Sequence, residues 1–563
     1  VQCDWQVVEC ESDKATALAS ALNLSPVVAS LLVQRGITDP QTALDFLNPS
    51  LDRLHDPFLM KNMGTVVDRL ERAVASGERV LIYGDYDVDG ISAIVVLKRA
   101  LEMIGGVVDF YLPKRLEEGY GLKAEVIRQA RELGYGLVIS VDSGIRAFDA
   151  CLAAREVGID LIVTDHHLPD NCLPPAFAIV NPRQPDCPYP DKDLAAVGVV
   201  FKIVQALFRR AGKERIVEHF LKLVAIGTVA DMVPVTGENR IIVRNGLLGL
   251  AEPHNVGLKA LLSGAGIGRE VSLVDVGFRL APRINAVTRM GGGREVVNLF
   301  SAKTDVEAQT IVELMNTMNA ERQNEERRVM ASIDKLLQER PELLDRYFLV
   351  VKGDGWHRGV IGIVASRLVE RFYRPVFVLS SDGEVCQGSG RSIPGFHLVN
   401  ALDSCQDLLI QYGGHVQAAG CSIHESRWEQ LADRLDAYAR SVLSPRDLVP
   451  VLRIDRVLPM ASVSLKLAED LEQLAPFGLG NPLPVFASNR VDVAAGPWIL
   501  KEKHLKLRLG SNGSQVDAIW WKNGAVADTI RSRPQLDLAY TISRETYQGR
   551  QSVLLGIRDL RPV

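Results

Sequence analysis

Between residues 80 and 164 the chain alternates short, almost uninterrupted apolar runs with amphipathic ones. VLIY (80–83), GVVDFYL (106–112), LVISV (137–141) and IDLIVT (159–164) have the length of strands. ISAIVVLKRALEMI (91–104), KAEVIRQARELG (123–134) and RAFDACLAAREVG (146–158) carry the helical period between them. Strands apolar on both faces, each followed by a helix, call for a parallel sheet covered on both sides. Ligands of such sheets bind beyond the carboxyl ends of the strands. Here three of those ends carry acids and imidazoles: Asp85, Asp87 and Asp89 in GDYDVDG, Asp142 in VDSG, and Asp165, His166 and His167 in VTDHH. Asp231, in VADMVP, closes a later helical stretch.

The residue types point to metal-assisted chemistry at phosphorus. Alternate residues of extended backbone share a face, so Asp85, Asp87 and Asp89 are expected to converge. The Glu that closes a calcium loop is missing, and taken alone this turn suits solvent as well as metal. An Asp and two His ending one strand combine hard oxygen with borderline nitrogen, a mixture better suited to Mn²⁺ than to Mg²⁺ or Ca²⁺. Asp142 is placed to bridge two ions, and Asp231 to complete the second. Two divalent ions ~4 Å apart activate a water and stabilise both oxygens of an in-line displacement.

At 563 residues the chain is too long for one core. The net charge of −5 offers no global basic field. That argues only weakly against nucleic acid, since a local channel can be basic inside an acidic protein. The eight cysteines include no CxxC pair, so zinc is not expected, and reduced thiols in a cytoplasm are. The first residues lack the basic and apolar regions of a secretory signal. The apolar stretch 194–208 is too short to span a membrane and contains Lys202.

The remaining pattern gives the domain plan: a lead-in over 1–55, with short helices ended by prolines; the parallel-sheet domain over 56–255; a connecting region over 256–340; a smaller α/β domain over 341–445; and a β-barrel of the OB type over 446–563. Residues 304–340 read as one helix. Val306, Ile311, Leu314, Met315 and Met318 form one apolar stripe, Val329, Ile333, Leu336 and Leu337 another, and ERQNEERR lies between them. Such a helix suits a connector whose ends dock on different domains. In the smaller α/β domain CQGSGRS (386–392) and YGGHVQAAG (412–420) read as glycine-rich turns.

GDYDVDG, VDSG, DHH and Asp231, in that order, resemble the DHH phosphoesterase superfamily. The resemblance implies two Mn²⁺ or Mg²⁺ ions held by Asp87, Asp89, Asp142, His166 and Asp231, with Asp85 in support and His167 facing the scissile phosphate. One departure stands out: several members place a metal-binding His where this chain has Tyr83. GWHRGVIGIVASR (355–367), GSGRS (388–392) and GGHVQAAG (413–420) resemble the DHHA1 substrate-binding domain. They imply Ser389, Arg391 and His415 as phosphate contacts, while His357 fits capping equally well. APRINAVTRMGG (281–292) is similar to a basic loop of the RecJ exonuclease family, implying Arg283, Asn285 and Arg289 as DNA contacts. YLPKRLEEGYGL (111–122) adds Arg115 and Tyr120, and APFGLGNPLPVF (475–486) resembles the opening of that family's OB-fold domain.

The expected function is therefore single-strand-specific 5′→3′ DNA exonuclease activity in repair and recombination. The expected chain is a monomer off the membrane, with a single-strand-binding protein and a helicase as candidate partners. The alternatives are a DHH oligoribonuclease or small phosphodiesterase, and a non-catalytic DHH-fold replication scaffold. On this reading a chain truncated near residue 450 keeps cleavage of very short oligonucleotides.

Overall fold

The computed structural model describes residues 3–113, 118–119, 121–289, 292–511, 514–532 and 535–563. The chain forms two compact units. The first comprises Asp39–Asn319 and Leu474–Leu483; the second comprises Val1–Thr38, Ala320–Gln473 and Pro484–Val563.

The first unit is built on a five-stranded sheet in the order Val107–Tyr111, Arg79–Gly84, Leu137–Val141, Asp160–Thr164, Ala178–Val180. Every pairing in it is parallel. Alternate residues of each strand enter different cores. Ile82, Ile139 and Ile162 pack with the helices Val88–Met103, Ala196–Arg210 and Leu221–Ala230. Leu81, Val138 and Leu161 pack with Ala124–Glu132 and Phe148–Val157 on the other face. This two-sided burial is what the unbroken apolar runs required. The strand Ala178–Val180, three residues long, is too short to stand out in the sequence.

The apolar stretch 194–208 lies in a buried helix, and its lysine is paired inside the protein. Lys202 Nζ donates to Glu238 Oε1 at 2.9 Å and to the His55 carbonyl at 2.8 Å. Among the described residues no helix is long and apolar enough to cross a membrane. The segment expected as a basic loop is instead a helix, Ala281–Arg289. Leu280, Ile284 and Val287, four and three residues apart, are all buried and fix it there.

The long helix spans Asp305–Glu339. Ala308, Val312 and Met315 bury in the core of the first unit, and Val329, Ile333 and Leu337 in a core of the second. Its first stripe is shifted from the expected one, since Val306 and Leu314 are exposed. The charged middle is not all solvated: Glu326 is buried and pairs with Arg322 at 3.2 Å and with Arg367.

In the second unit a mixed sheet runs Leu409–Gly414, Ala418–His424, Val385–Arg391, Val376–Ser381, Leu349–Asp354. CQGSGRS is therefore strand rather than turn, and only 415–417 of the second glycine-rich segment turns the chain. The glycines serve packing. A Cβ on Gly390 would lie 2.7 Å from the Phe377 ring, and one on Gly388 would lie 2.6 Å from Leu379.

Strand Phe486–Leu500 pairs with both His504–Ser511 and Gln535–Tyr547. Arg456–Val457 pairs in parallel with the start of Phe486–Leu500, and further ladders join His504–Ser511 to Ser514–Trp520, that strand to Arg550–Pro562, and Arg550–Pro562 to Gln535–Tyr547. The hydrogen-bonded order thus returns to Phe486–Leu500, as in an OB-type arrangement. The expected Asn512-Gly513 turn lies outside the described residues. Asp4–Val7 pairs in parallel with Val451–Ile454. Two prolines of the lead-in start helices, Pro26 and Pro40 following the caps Ser25 and Asp39, while Pro49 lies just past the end of Pro40–Leu47 as expected.

Candidate metal centre

Asp85, Asp87 and Asp89 converge, but not through extended backbone. The strand ends at Gly84 and the helix Val88–Met103 begins almost at once, with Asp87 as its cap accepting from Gly90 N at 3.0 Å. Gly90 allows this tight entry, because a Cβ there would lie 2.6 Å from the Asp85 carbonyl oxygen. Asp89, in the first turn, points into the protein. It accepts from Ala196 N at 2.7 Å and Val197 N at 2.8 Å, the start of another helix. Two amides at a helix N-terminus are a natural seat for a carboxylate.

Asp142 follows its strand in left-handed backbone, φ 61°, with its N–H donating to the Thr164 carbonyl at 3.1 Å. A non-glycine residue held there marks a constrained position. Asp165 is buried and engaged both by its own loop and by the loop that follows Asp142. It accepts from His166 N at 2.7 Å, His167 N at 3.0 Å and Ile145 N at 3.0 Å, and it bonds His167 Nδ1 at 2.7 Å. It therefore orients His167 rather than supplying the hard oxygen expected of it, and leaves Nε2 as the other face of that ring.

His166 lies between carboxylates. Its Nε2 is 3.3 Å from Asp142 Oδ1 and its Nδ1 is 3.7 Å from Asp231 Oδ2. Although buried, neither ring nitrogen has a partner in hydrogen-bonding geometry. Buried imidazole nitrogens placed so between carboxylates are suited to metal ligation. Asp231 sits at the end of helix Leu221–Ala230. Three overlapping sets have ligand atoms within 4.8 Å of one another: Asp85, Asp87 and Asp142; Asp142, His166 and His167; and Asp89, His166 and Asp231. Asp142 and His166 each belong to two sets.

The electrostatics fit a centre built for cations. Burial first, then the charge of Asp87, pushes Asp89 up to about 7. Burial, then Asp89 and Asp87, takes Asp231 to about 9. Burial and four neighbouring carboxylates hold Asp142 well above the ordinary range. Burial lowers His166 to about 4. Burial also works against His167, but the hydrogen bond and charge of Asp165 outweigh it and raise that group. A divalent ion removes the penalty of keeping such acids ionised.

Tyr83, which the resemblance set apart as a departure, does something else. Its hydroxyl donates to the Gly121 carbonyl at 3.1 Å, and its ring packs 5.2 Å from that of Tyr111. Burial pushes its phenol far up, so it stays neutral.

The other expected contacts are distributed as follows. Asn285 and Arg289 lie four apart on the helix Ala281–Arg289 and share a face. Arg283, on the same helix, is held by Asn316 Oδ1 at 2.8 Å and the Arg279 carbonyl at 2.6 Å. Arg115 and Tyr120 lie outside the described residues. In the second unit Ser389 and Arg391 share one face of their strand, with Arg391 Nη1 3.3 Å from Ser389 Oγ. Gly362 faces them, and a Cβ there would lie 3.0 Å from Ser389 Oγ. His415 is exposed at the hairpin tip, its N–H donating to the Ala418 carbonyl at 2.8 Å. His357 is a cap, accepting from Gly359 N at 3.1 Å.

The sequence reading missed one neighbour of the centre. Residues 475–486 resemble the opening of the OB domain, and most of that segment, within Leu474–Leu483, packs with the first unit. There the Leu479 carbonyl accepts from Val235 N at 2.7 Å, four residues after Asp231. No local pattern in either segment announces this pairing.

Comparison with known proteins agrees along the whole chain. Residues 79–228 match the DHH family N-terminal domain, 345–441 the DHHA1 domain and 454–559 the RecJ OB domain. The single-stranded-DNA-specific exonuclease RecJ of Bacillus subtilis (strain 168) is 38% identical over 99% of this chain and 70% of that protein. Thermus thermophilus RecJ in complex with Mn²⁺ superposes with a TM-score of 0.85 at 31% identity, covering 100% of this chain and 80% of that one. The Mg²⁺ complex from the same organism gives 0.78 at 29% identity, covering 100% and 78%.

Proposed function

Because the chain belongs to the RecJ family of single-stranded-DNA-specific exonucleases, we infer that it removes nucleotides from one end of single-stranded DNA by metal-dependent phosphodiester hydrolysis. The observation that carries this reading is the convergence of Asp85, Asp87, Asp89, Asp142, His166 and Asp231 at one end of the parallel sheet. When bound, two Mn²⁺ or Mg²⁺ ions supply a reactive water and neutralise charge on the phosphate.

The residues have distinct tasks in this reading. Asp87 and Asp142 would hold one ion, and Asp89, His166 and Asp231 the other, with Asp142 available to both and Asp85 in support. The amides of Ala196 and Val197 orient Asp89 and favour its ionised form against the burial that raises it. Asp165 fixes the His167 ring so that its Nε2 meets the scissile phosphate. Arg289 and Asn285 contact the strand from one helix face, beside a guanidinium of Arg283 that is already braced. Arg115 and Tyr120 guide the strand by phosphate contact and base stacking. Ser389, Arg391 and His415 take the 5′-terminal phosphate, which sets the direction 5′→3′. The OB-type strands bind the trailing single strand. The protein works as a cytoplasmic monomer in repair and recombination, alongside a helicase and a single-strand-binding protein.

An oligoribonuclease is disfavoured by the OB domain, and an inert scaffold by the intact Asp and His set. Digestion of end-labelled DNA tests the proposal. Single strands should be degraded with Mn²⁺ or Mg²⁺, a 5′ label should appear at once as mononucleotide, and EDTA should stop the reaction. Equal degradation of blunt duplex, or turnover in EDTA, would sink it.

A further inference from the structure

The loop that carries Asp231 is gripped by a distant part of the chain. It runs from Asp231, through Met232 in left-handed backbone (φ 60°), to the helix Gly237–Gly249. Val235 N donates to the Leu479 carbonyl at 2.7 Å. Gly478 passes so close that a side chain would not fit, and Gly480, in left-handed backbone, passes tightly. A Cβ on Gly478 would lie 2.6 Å from Val235 Cγ2, and one on Gly480 would lie 3.2 Å from Pro234 Cβ.

The gripping segment is itself fixed. Gly478 and Asn481 exchange backbone hydrogen bonds of 2.8 and 3.1 Å. The buried amide of Asn481 donates to the carbonyls of Leu474 at 2.8 Å and Pro476 at 2.9 Å. Arg240, 2% exposed, reaches it from the helix that follows the Asp231 loop. Its guanidinium donates to the carbonyls of Ala475 at 2.9 Å, Pro476 at 3.2 Å and Phe46 at 2.7 Å, and lies 3.8 Å from the centre of the Phe46 ring. A buried, always-charged fork is well suited to hold three carbonyls in fixed register.

We propose that Leu474–Leu483 is a positioning element of the metal centre, which holds the Asp231 loop so that its carboxylate stays with Asp89 and His166. This rests on the two-metal reading above. Residues that hold a ligand in place, without touching the ion, typically change metal affinity roughly 10- to 100-fold when altered.

The test uses the full chain and reads Mn²⁺ affinity by calorimetry, beside turnover of a short oligonucleotide. Gly478→Ala places a methyl group against Val235, whose branched side chain has little rotamer freedom. It should weaken Mn²⁺ binding about tenfold, with turnover recovered at excess Mn²⁺. Val235→Ala in the same chain removes the clash and should restore affinity to within about twofold of the parent. Met315→Ala, in the core of the same unit, should lower the melting temperature and leave Mn²⁺ affinity unchanged. Arg240→Lys, which keeps the charge and loses the fork, is the second variant should Gly478→Ala fail to fold, and it should weaken Mn²⁺ binding likewise. Parental affinity in a folded Gly478→Ala or Arg240→Lys, or no restoration by Val235→Ala, overturns the proposal. A parent chain that binds no Mn²⁺ overturns the centre itself, a distinct failure.

Discussion

The two α/β sheets of this chain carry their candidate functional groups in opposite ways. In the parallel sheet Asp85, Asp142, Asp165 and His166 lie beyond the strand ends, while the strands themselves are buried ladders. In the mixed sheet Ser389 and Arg391 lie within a strand, on the face opposite Gly388 and Gly390. Those two glycines admit Phe377 and Leu379 on one side, and Gly362 leaves space beside Ser389 and Arg391 on the other. The first arrangement gathers charge from distant loops, and burial tunes it. The second leaves two side chains on an accessible strand face with little burial of charge. The parallel sheet should therefore fail through metal binding, and the mixed sheet through packing or phosphate contact.

The largest expected effect is at the shared ligand. Asp142→Ala should reduce hydrolysis by roughly a thousandfold or more, the scale of several kcal/mol of lost charge stabilisation, while single-strand binding persists. Binding measured by fluorescence anisotropy separates the two. Turnover within tenfold of the parent would remove Asp142 from the centre.

Matched glycine substitutions come next. Gly90→Ala drives a methyl group into the Asp85 carbonyl and should lower Mn²⁺ affinity about 10- to 100-fold. Gly390→Ala meets the Phe377 ring and should cost ~1–3 kcal/mol of stability in denaturant, with Mn²⁺ affinity unchanged. An effect of Gly390→Ala on Mn²⁺ binding would break the contrast between the sheets.

Acidity sharpens it further. Asp89, pushed to about 7, and Asp231, to about 9, hold protons at neutral pH that a metal must displace. Mn²⁺ affinity should rise between pH 6 and 9, by at most about tenfold per pH unit for each proton released. These folded pKa values lie above the unfolded ones, so the folded metal-free chain binds more protons than the unfolded chain. Its stability is therefore fullest below the ordinary carboxylate range and should fall as pH rises through 7 and 9. Saturating Mn²⁺ should remove that decline, and thermal melts with and without metal measure it. A flat metal-free profile would contradict the buried-acid account.

The smallest effect belongs to the mixed sheet. A 5′-phosphorylated strand should be cut several-fold faster than a 5′-hydroxyl strand, and Arg391→Ala should erase that difference, as expected for one charge-assisted contact. Equal rates on both ends in the parent would remove the phosphate role.

Much of this was legible in the sequence because it is local. Strand and helix periods gave the parallel sheet. The acids and imidazoles stood next to strand ends, where a ladder leaves loops free to carry them. The misreadings share one cause, which is that a neighbour far along the chain decided the outcome. Gly388 and Gly390 looked like turn residues until Phe377 and Leu379 were seen to need their space. APRINAVTR looked like a loop until Ile284 and Val287 were seen to bury. Asp165 looked like a ligand until Ile145 N and the His167 ring were seen to engage it.

Sequence by itself determined the element types of the first unit, the chemical character of the centre and the order of its parts. Hydrophobic period and ligand type are properties of short windows, and a short window is enough to state them. Tertiary structure alone decided which acids meet at His166, why Tyr83 turns to Gly121 instead, and that Leu474–Leu483 backs the Asp231 loop. Those outcomes depend on distances of a few ångströms between residues up to hundreds of positions apart, and they are set by close packing and by the hydrogen bonds that buried polar groups must find.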